Sequence, residues 1–133
     1  MENQDIKIMI VDDEELITEM SAKILKRKGF SVFTAMDGAT AIETFQRERP
    51  DINLIDVHLG DSDIDGVGVL ESIRKEDSAA ICVMVTRITD KETVEKIEQL
   101  GVKDYLYKPL DTNAWLEYVL GVADEIKGIA HGK

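Results

Sequence analysis

The chain alternates between short apolar runs and longer segments in which apolar residues recur every three or four positions. Short apolar runs are typical of strands buried in a sheet, whereas the three-to-four spacing is typical of helices that bury one face. The apolar runs begin near residues 6, 30, 52, 81 and 104, and each is followed by a helical pattern. This alternation predicts five strand–helix units, and therefore a parallel sheet with helices on both faces.

Capping and turn residues predict where several of the helices begin and end. Gly29 is placed to end the first helix, and the third helix is predicted over residues 66–75. Asp90 can cap the fourth helix, and Asp111 or Thr112 can cap the fifth. No glycine-rich fingerprint follows the first strand, so the pattern favours a small doubly wound fold over a dinucleotide-binding one.

Composition and charge narrow the class of protein. The 133 residues suffice for one domain with a real core, and 44% hydrophobic residues are ordinary for an α/β protein. The net charge of −11 repels phosphate backbones, so direct binding to nucleic acid is not expected. We predict one domain over residues 1–127, followed by a C-terminal tail or the start of a linker at 128–133.

Cellular location is also constrained by the sequence. The single cysteine, Cys82, lies inside an apolar run and is expected to be a buried, inert thiol. The N-terminus is acidic and polar, unlike the basic start of a signal peptide, and no apolar segment approaches the ~20 residues that cross a bilayer. These features predict a cytoplasmic protein without membrane contact.

Four of the apolar runs end at residues that handle charge. The carboxyl ends of neighbouring parallel strands meet at one edge of a sheet, where ligands bind in open α/β folds. Carboxylates, a hydroxyl and an ammonium are therefore expected to converge there. The residues are Asp12 and Asp13 after the first strand, Asp56 after the third, Thr86 after the fourth and Lys108 after the fifth.

Such a set of side chains suits a divalent metal and a phosphoryl group. Mg²⁺ prefers carboxylate, water and phosphate oxygens, and crowded carboxylates favour a cation because like charges repel. An aspartate in that position can also attack phosphorus and form an aspartyl-phosphate. Singly, each residue has an ordinary alternative as a helix cap, a strand end or a surface lysine. Their joint placement favours the phosphoryl site.

In this order and spacing, the residues resemble the receiver domain of two-component response regulators. The resemblance spans Ile8 to about Ile126. It rests on Val11-Asp12-Asp13-Glu14, Asp56, Thr86 and Lys108-Pro109, with thirty residues from Asp56 to Thr86 and twenty-two from Thr86 to Lys108. The resemblance implies a flavodoxin-like (βα)5 fold with strand order 2-1-3-4-5. It also implies that the Lys108-Pro109 peptide bond is cis.

The resemblance implies a phosphoacceptor and a metal site. Asp56 would accept a phosphoryl group from a histidine kinase or a phosphotransfer protein. Mg²⁺, or Mn²⁺, would be bound by Asp13, Asp56 and the backbone carbonyl of His58, while Asp12 would act largely through water.

The resemblance further implies a switch. Thr86 and Lys108 would hold the phosphoryl oxygens, and Tyr105 would turn inward when Thr86 moves towards the phosphate. The surface that changes would be formed by the fourth helix, fifth strand and fifth helix, where an output domain, an effector protein or a second copy of the chain could bind. Whether the chain stands alone or is part of a larger regulator stays open.

The chain departs from the family pattern after Asp56. Gly60 stands where the family usually has a proline, and the loop Gly60–Asp65 is about two residues longer than usual. The loop and the glycine after it also mimic the start of an EF-hand calcium loop, through Asp61, Asp63, Asp65 and Gly66. The twelfth position of that loop is Ser72 instead of glutamate and no suitable helix precedes it, so calcium binding is not expected.

Two further residues could tune the lifetime of an aspartyl-phosphate. Arg87 follows Thr86 where most receivers have a small residue. Our hypothesis is that Arg87 screens the phosphoryl group from water or contacts it electrostatically, and the alternative is that it points to solvent. His58 is the second such position, and the direction of its effect stays open.

Two other functions remain as alternatives. Phosphatases with an aspartyl nucleophile use similar residues, but they need a second aspartate two residues after the nucleophile, where this chain has His58. A receiver fold can also serve as a phosphate-independent interaction module, which usually lacks one of the site residues. Neither alternative fits the sequence as well as the phosphorylated switch, which is not expected to be an enzyme beyond acting on its own phosphoryl group.

Overall fold

The computed structural model describes residues 2–87 and 90–128 and has five strands that alternate with five α-helices in that part of the chain. A single 3-10 turn at Asn3–Asp5 precedes the first strand. The strands are β1 (Lys7–Val11), β2 (Ser31–Ala35), β3 (Ile52–Asp56), β4 (Ile81–Thr86) and β5 (Asp104–Tyr107). The helices are α1 (Glu15–Arg27), α2 (Gly38–Glu48), α3 (Gly66–Glu76), α4 (Lys91–Leu100) and α5 (Thr112–Lys127).

The strands form one parallel sheet in the order β2-β1-β3-β4-β5, which confirms the predicted doubly wound fold. The register places Val11 beside Ile55, and Asp56 beside Val85. At the next pair, Thr86 lies beside Tyr107. Four strands therefore end at nearly the same level, so the residues that follow them share one edge of the sheet.

Each face of the sheet is covered by its own set of helices. On one face α2, α3 and α4 pack on the sheet, with Phe45, Leu70 and Ile97 among the buried side chains. On the other face α1 and α5 pack on the sheet, with Leu25 and Trp115 buried between helix and strand. Because helices cover both faces of the sheet, most positions of its central strands are buried and apolar, which accounts for the apolar runs in the sequence.

Aspartates cap the helices much as the sequence predicts. Asp90 begins α4 by accepting a hydrogen bond from Thr93 N at 2.8 Å. Asp111, one of the two predicted alternatives, begins α5 in the same way through Ala114 N at 3.0 Å. The third helix ends one residue later than predicted, at Glu76.

Several sequence predictions concern single features of the chain. Cys82 is fully buried, as predicted, and burial raises the pKa of its thiol to about 11. No helix of the described part of the chain is long and apolar enough to cross a membrane. The predicted tail begins at Gly128, which terminates α5 in a left-handed conformation, and residues 129–133 lie outside the described residues. The division into a domain and a tail stays a prediction.

Candidate functional site

The edge of the sheet where the strands end brings the predicted site residues together. Asp12 follows β1 directly, Asp56 is the last residue of β3, and Thr86 is the last residue of β4. Lys108 follows β5, and its backbone N–H donates to the carbonyl oxygen of Thr86 at 2.8 Å. Asp12 and Asp56 are nearly inaccessible to solvent, and Thr86 is wholly buried. The polar groups therefore lie in a partly closed pocket and not on open surface.

The ammonium group of Lys108 is the centre of this pocket. Its Nζ atom lies 2.8 Å from Asp12 Oδ2, 2.9 Å from Asp56 Oδ2 and 3.0 Å from Glu14 Oε1. Only 4% of the side chain is exposed. An ammonium group has three N–H donors, so these three carboxylates use all of them.

The two buried carboxylates are held in the same way. One oxygen of each binds Lys108, and the other accepts a hydrogen bond from the backbone N–H two residues further along the chain. For Asp12 this donor is Glu14 N at 2.9 Å, and for Asp56 it is His58 N at 3.2 Å. Both oxygens are thus fixed, which orients each carboxylate at the end of its strand.

Burial and the lysine oppose each other in setting the charges of the pocket. Burial raises the pKa of Asp56 above its ordinary value, and the hydrogen bond from Lys108 offsets only part of that effect. Burial alone would lower the pKa of Lys108, but the three carboxylates outweigh it and hold the ammonium protonated. The hydrogen bond from Lys108 also lowers the pKa of Glu14. The pocket therefore keeps its cation at every physiological pH.

Four carboxylates of this pocket could hold a metal ion. Asp12, Asp13, Glu14 and Asp56 each offer an oxygen, and these oxygens lie within 4.8 Å of one another. Of the four, Asp13 is exposed, so it borders solvent on the side from which an ion can enter. An all-oxygen site with several carboxylates suits Mg²⁺ or Mn²⁺, so the residues present fit the predicted ion. The predicted contribution of the His58 carbonyl stays a prediction.

The long loop after Asp56 is held in place by hydrogen bonds. Ser62 Oγ donates to the carbonyl oxygen of Ile64 at 2.7 Å and accepts from Gly38 N, at the start of α2, at 3.0 Å. Gly60 has a positive φ of 57°, and a Cβ there would lie 2.6 Å from Asp13 Oδ2. Glycine at the usual proline position thus lets the loop run close to a predicted metal ligand. Asp65 caps α3 through Gly68 N at 2.9 Å.

Gly66 brings the first residue of α3 against the end of β3. Its N–H donates to the carbonyl oxygen of Val57 at 2.9 Å. A Cβ at Gly66 would overlap the carbonyl oxygen of Asp56 and lie 2.8 Å from Val57 Cα. The sequence singled out this glycine as part of a calcium-loop pattern, whereas in the structure it allows the close approach of a helix to Asp56.

Tyr105 and Arg87 occupy different parts of the site. Tyr105 packs against the core on the face of the sheet that α2, α3 and α4 cover, and its hydroxyl is buried. That burial raises the pKa of the phenol. Arg87 is 63% exposed, but its Nη2 atom lies 2.9 Å from Glu14 Oε1. The roles of Tyr105 as a switch and of Arg87 in phosphoryl lifetime stay predictions. The Lys108-Pro109 bond is cis, as expected.

Glu14 is the site residue to which the sequence assigned no role. It joins Lys108 to Arg87, although Arg87 lies 73 residues away along the chain. The sequence offered one signal, a third acidic residue directly after the Asp12-Asp13 pair. A side chain's reach across the pocket to two cations cannot be derived from that run of acidic residues alone.

Comparisons with known proteins agree with this geometry. A family model described as the response regulator receiver domain matches residues 8–120. The chemotaxis protein CheY of Treponema pallidum is 31% identical over 117 residues, which cover 87% of this chain and 81% of that protein. The probable transcriptional regulatory protein TcrX of Mycobacterium tuberculosis is 36% identical over 111 residues, which cover 81% of this chain. This chain spans only 45% of TcrX.

Solved structures show the same fold. A CheY-like receiver domain protein from Methanospirillum hungatei superposes with a TM-score of 0.83 at 26% identity, covering 92% of this chain and 97% of that one. CheY of Borrelia burgdorferi, solved in a CheX-CheY-BeF3-Mg²⁺ complex, gives a TM-score of 0.76 at 27% identity, with 88% of each chain covered. Since the family model covers most of the chain, including every predicted site residue, this chain belongs to the response regulator receiver domain family of two-component systems.

Proposed function

We propose that this chain is a phosphorylation-operated switch in which Asp56 accepts the phosphoryl group. The observation that carries the proposal is the pairing of the Asp56 carboxylate with Lys108 inside a pocket whose acidic residues suit a divalent cation. A buried nucleophile next to a fixed ammonium is positioned for in-line transfer, because the ammonium can neutralise the incoming phosphoryl oxygens.

The proposed reaction is an exchange of one bond for another. An oxygen of Asp56 attacks phosphorus in a phosphohistidine of a histidine kinase or phosphotransfer protein. The bond between phosphorus and the histidine nitrogen breaks, and its electron pair returns to the imidazole. Lys108 stays protonated throughout and moves onto a phosphoryl oxygen, while Thr86 binds another. Mg²⁺, held by Asp13, Asp56 and the backbone carbonyl of His58, with Asp12 acting largely through water, would neutralise phosphoryl charge.

The donor protein must cover the surface around Asp56 in order to bring its phosphohistidine within bonding distance. Beside Lys108, a cavity of about 220 Å³ opens between α1 and α5. Its rim includes Met20, which is 51% exposed, and the nearby Leu16 is 81% exposed. Exposed large apolar side chains next to a functional site favour a protein contact. We infer that the phosphodonor packs on this face of α1.

We propose that the conformational change caused by phosphorylation is transmitted from the site through β4 and β5. Thr86 ends β4 next to Tyr107 of β5, and Tyr105 of the same strand packs against the core that α2, α3 and α4 cover. Movement of Thr86 towards the phosphoryl group would therefore displace parts of both β4 and β5. The α4–β5–α5 face is therefore the proposed surface for an output domain, an effector or a second copy, in a cytoplasmic protein that does not itself bind nucleic acid.

The proposal is tested by incubating the chain with acetyl phosphate and Mg²⁺ and measuring its intact mass. We expect one added phosphoryl group in wild type and none in Asp56→Asn. Absence of an adduct with every small donor and kinase tried would favour the phosphate-independent module. Repeated turnover of a phosphomonoester with Mg²⁺ would instead favour the phosphatase, although its required second aspartate is replaced by His58.

A further inference from the structure

Glu14 differs from the other two carboxylates that bind Lys108. The side chains of Asp12 and Asp56 are 7% and 8% exposed, whereas that of Glu14 is 39% exposed. The same Glu14 oxygen, Oε1, also accepts a hydrogen bond from Arg87 at 2.9 Å. One carboxylate oxygen is thus shared between a buried ammonium and an exposed guanidinium.

We propose that Glu14 competes with the phosphoryl group for Lys108, and that Arg87 sets the strength of this competition. The proposal deepens the function proposed above and rests on it. All three donors of Lys108 are occupied, so any phosphoryl oxygen that binds the ammonium must displace a carboxylate. The acceptor site therefore contains its own competitor for the phosphoryl group.

Glu14 is the carboxylate that is most easily displaced. It is the most exposed of the three, so water can solvate it when the lysine leaves. Its hydrogen bond to Lys108, at 3.0 Å, is also the longest of the three. After displacement it keeps Arg87 as a partner, whereas displaced Asp12 would be left as a buried charge.

Arg87 weakens the hold of Glu14 on Lys108. Because both cations bind the same carboxylate oxygen, each weakens the electrostatic attraction between that oxygen and the other cation. Without Arg87, Glu14 would bind Lys108 alone, and its undivided charge would hold the ammonium more strongly. Arg87 is therefore a positioning residue that acts through Glu14, and phosphorylation should be slower without it.

The test is the rate of phosphorylation by acetyl phosphate at saturating Mg²⁺, measured over a range of donor concentrations. Glu14→Gln should raise the rate constant about threefold to tenfold, as expected for loss of one partly exposed charge-assisted hydrogen bond. The matched control is Glu15→Gln, which makes the same chemical change one residue later on an exposed side chain without a hydrogen bond or ion pair to any described residue. This control should leave the rate near that of wild type.

Variants of Arg87 separate an action through Glu14 from a general charge effect. Arg87→Gln should slow phosphorylation, and Arg87→Lys, which keeps the cation, should restore most of the rate. The double variant Glu14→Gln/Arg87→Gln should be as fast as Glu14→Gln alone if Arg87 acts through Glu14. That part of the proposal would be overturned if the double variant were slower than Glu14→Gln by the same factor by which Arg87→Gln is slower than wild type.

Fluoroberyllate binding gives a second readout, because it mimics the phosphoryl group without covalent chemistry. Its affinity should rise in Glu14→Gln and fall in Arg87→Gln. The proposal is overturned if wild type is phosphorylated on Asp56 while Glu14→Gln and Glu15→Gln behave alike. It is also overturned if the gain of Glu14→Gln disappears once Mg²⁺ is saturating, since Glu14 would then act through the metal. Failure of wild type itself to accept phosphate would instead reject the proposed function.

Discussion

The contact between Gly66 and the acceptor strand makes a specific prediction about Gly66→Ala. The added methyl group would overlap the carbonyl oxygen of Asp56 and lie 2.8 Å from Val57 Cα. Carbon atoms ordinarily approach to about 3.5 Å, so α3 and the end of β3 must separate. The obstructing atoms belong to the backbone, which cannot rotate away as a side chain can. The substitution should therefore shift Asp56 itself.

Gly68→Ala, two residues along the same helix, is the matched control. A Cβ at Gly68 would meet Ile64 Cγ2 at 2.8 Å, and this contact is with a side-chain methyl group, which can shift more easily than backbone atoms. Both substitutions gain helix propensity of up to about 1 kcal/mol, so this gain cancels in the comparison. Overpacking against a rigid neighbour costs about 1–3 kcal/mol. We expect Gly66→Ala to be less stable than Gly68→Ala by about 2–3 kcal/mol.

Thermal unfolding and phosphorylation measure this difference independently. For a domain of this size the expected loss lowers Tm by roughly 6–12 °C relative to Gly68→Ala. Phosphorylation by acetyl phosphate should also slow in Gly66→Ala, even at temperatures where the variant is fully folded, and stay near wild type in Gly68→Ala. The reasoning is refuted if the two variants have the same Tm and the same rate of phosphorylation.

Three further predictions concern the pocket and its surroundings. In the absence of Mg²⁺, Lys108→Met should lower the free energy of unfolding in urea by about 3–5 kcal/mol, because it leaves buried carboxylates unpaired. The control Lys103→Met removes an exposed ion pair and should cost less than about 1 kcal/mol. Burial raises the pKa of Asp56 in the folded protein. Protonated Asp56 therefore stabilises the folded state at pH values below the ordinary carboxyl pKa, and this stabilisation is lost as the pH rises through the raised pKa. Without Mg²⁺, Asp56→Asn should therefore be more stable than wild type at neutral pH, with the difference disappearing in acid; equal stability at both pH values would contradict this. Leu16→Ser should slow phosphotransfer from a histidine kinase but not from acetyl phosphate, while Met36→Ser, which removes another exposed apolar side chain, should change neither.

The sequence predicted the fold well because two patterns were strong and consistent with each other. Strands buried on both faces favour apolar residues at nearly every position, as in the run 81–85 that ends at Thr86, and helices require the longer apolar period. Alternation of the two patterns determines a parallel sheet, and a parallel sheet places the ends of its strands at one edge. For this reason the sequence alone predicts that four residues meet at that edge: Asp12, Asp56, Thr86 and Lys108.

The remaining parts of the site depend on side-chain reach and backbone contact, which have no periodic signature. Ser62 connects its loop to Gly38 through a hydrogen bond, 24 residues away along the chain. Glycine is required at position 66 because the backbone of Asp56 lies so close to it, and this distance is set by the packing of α3 against the end of β3. Glu14 reaches Lys108 and Arg87 from a position that the sequence presents as part of an acidic run. Each of these is a tertiary contact between segments whose separation local patterns do not encode.

The charges of the pocket connect the metal, the phosphoryl group and the proposed competition. Asp12, Asp13, Glu14 and Asp56 contribute four carboxylates, while Lys108 and Arg87 contribute two cations. Two negative charges thus remain, which is the charge that one divalent cation would compensate. Phosphorylation of Asp56 adds further negative charge, and the pocket can accept it only if a carboxylate gives up Lys108. Glu14 can do so without becoming a buried unpaired charge, since it is partly exposed and keeps Arg87. The arrangement that holds the unphosphorylated pocket together therefore also provides the group that yields to the phosphate.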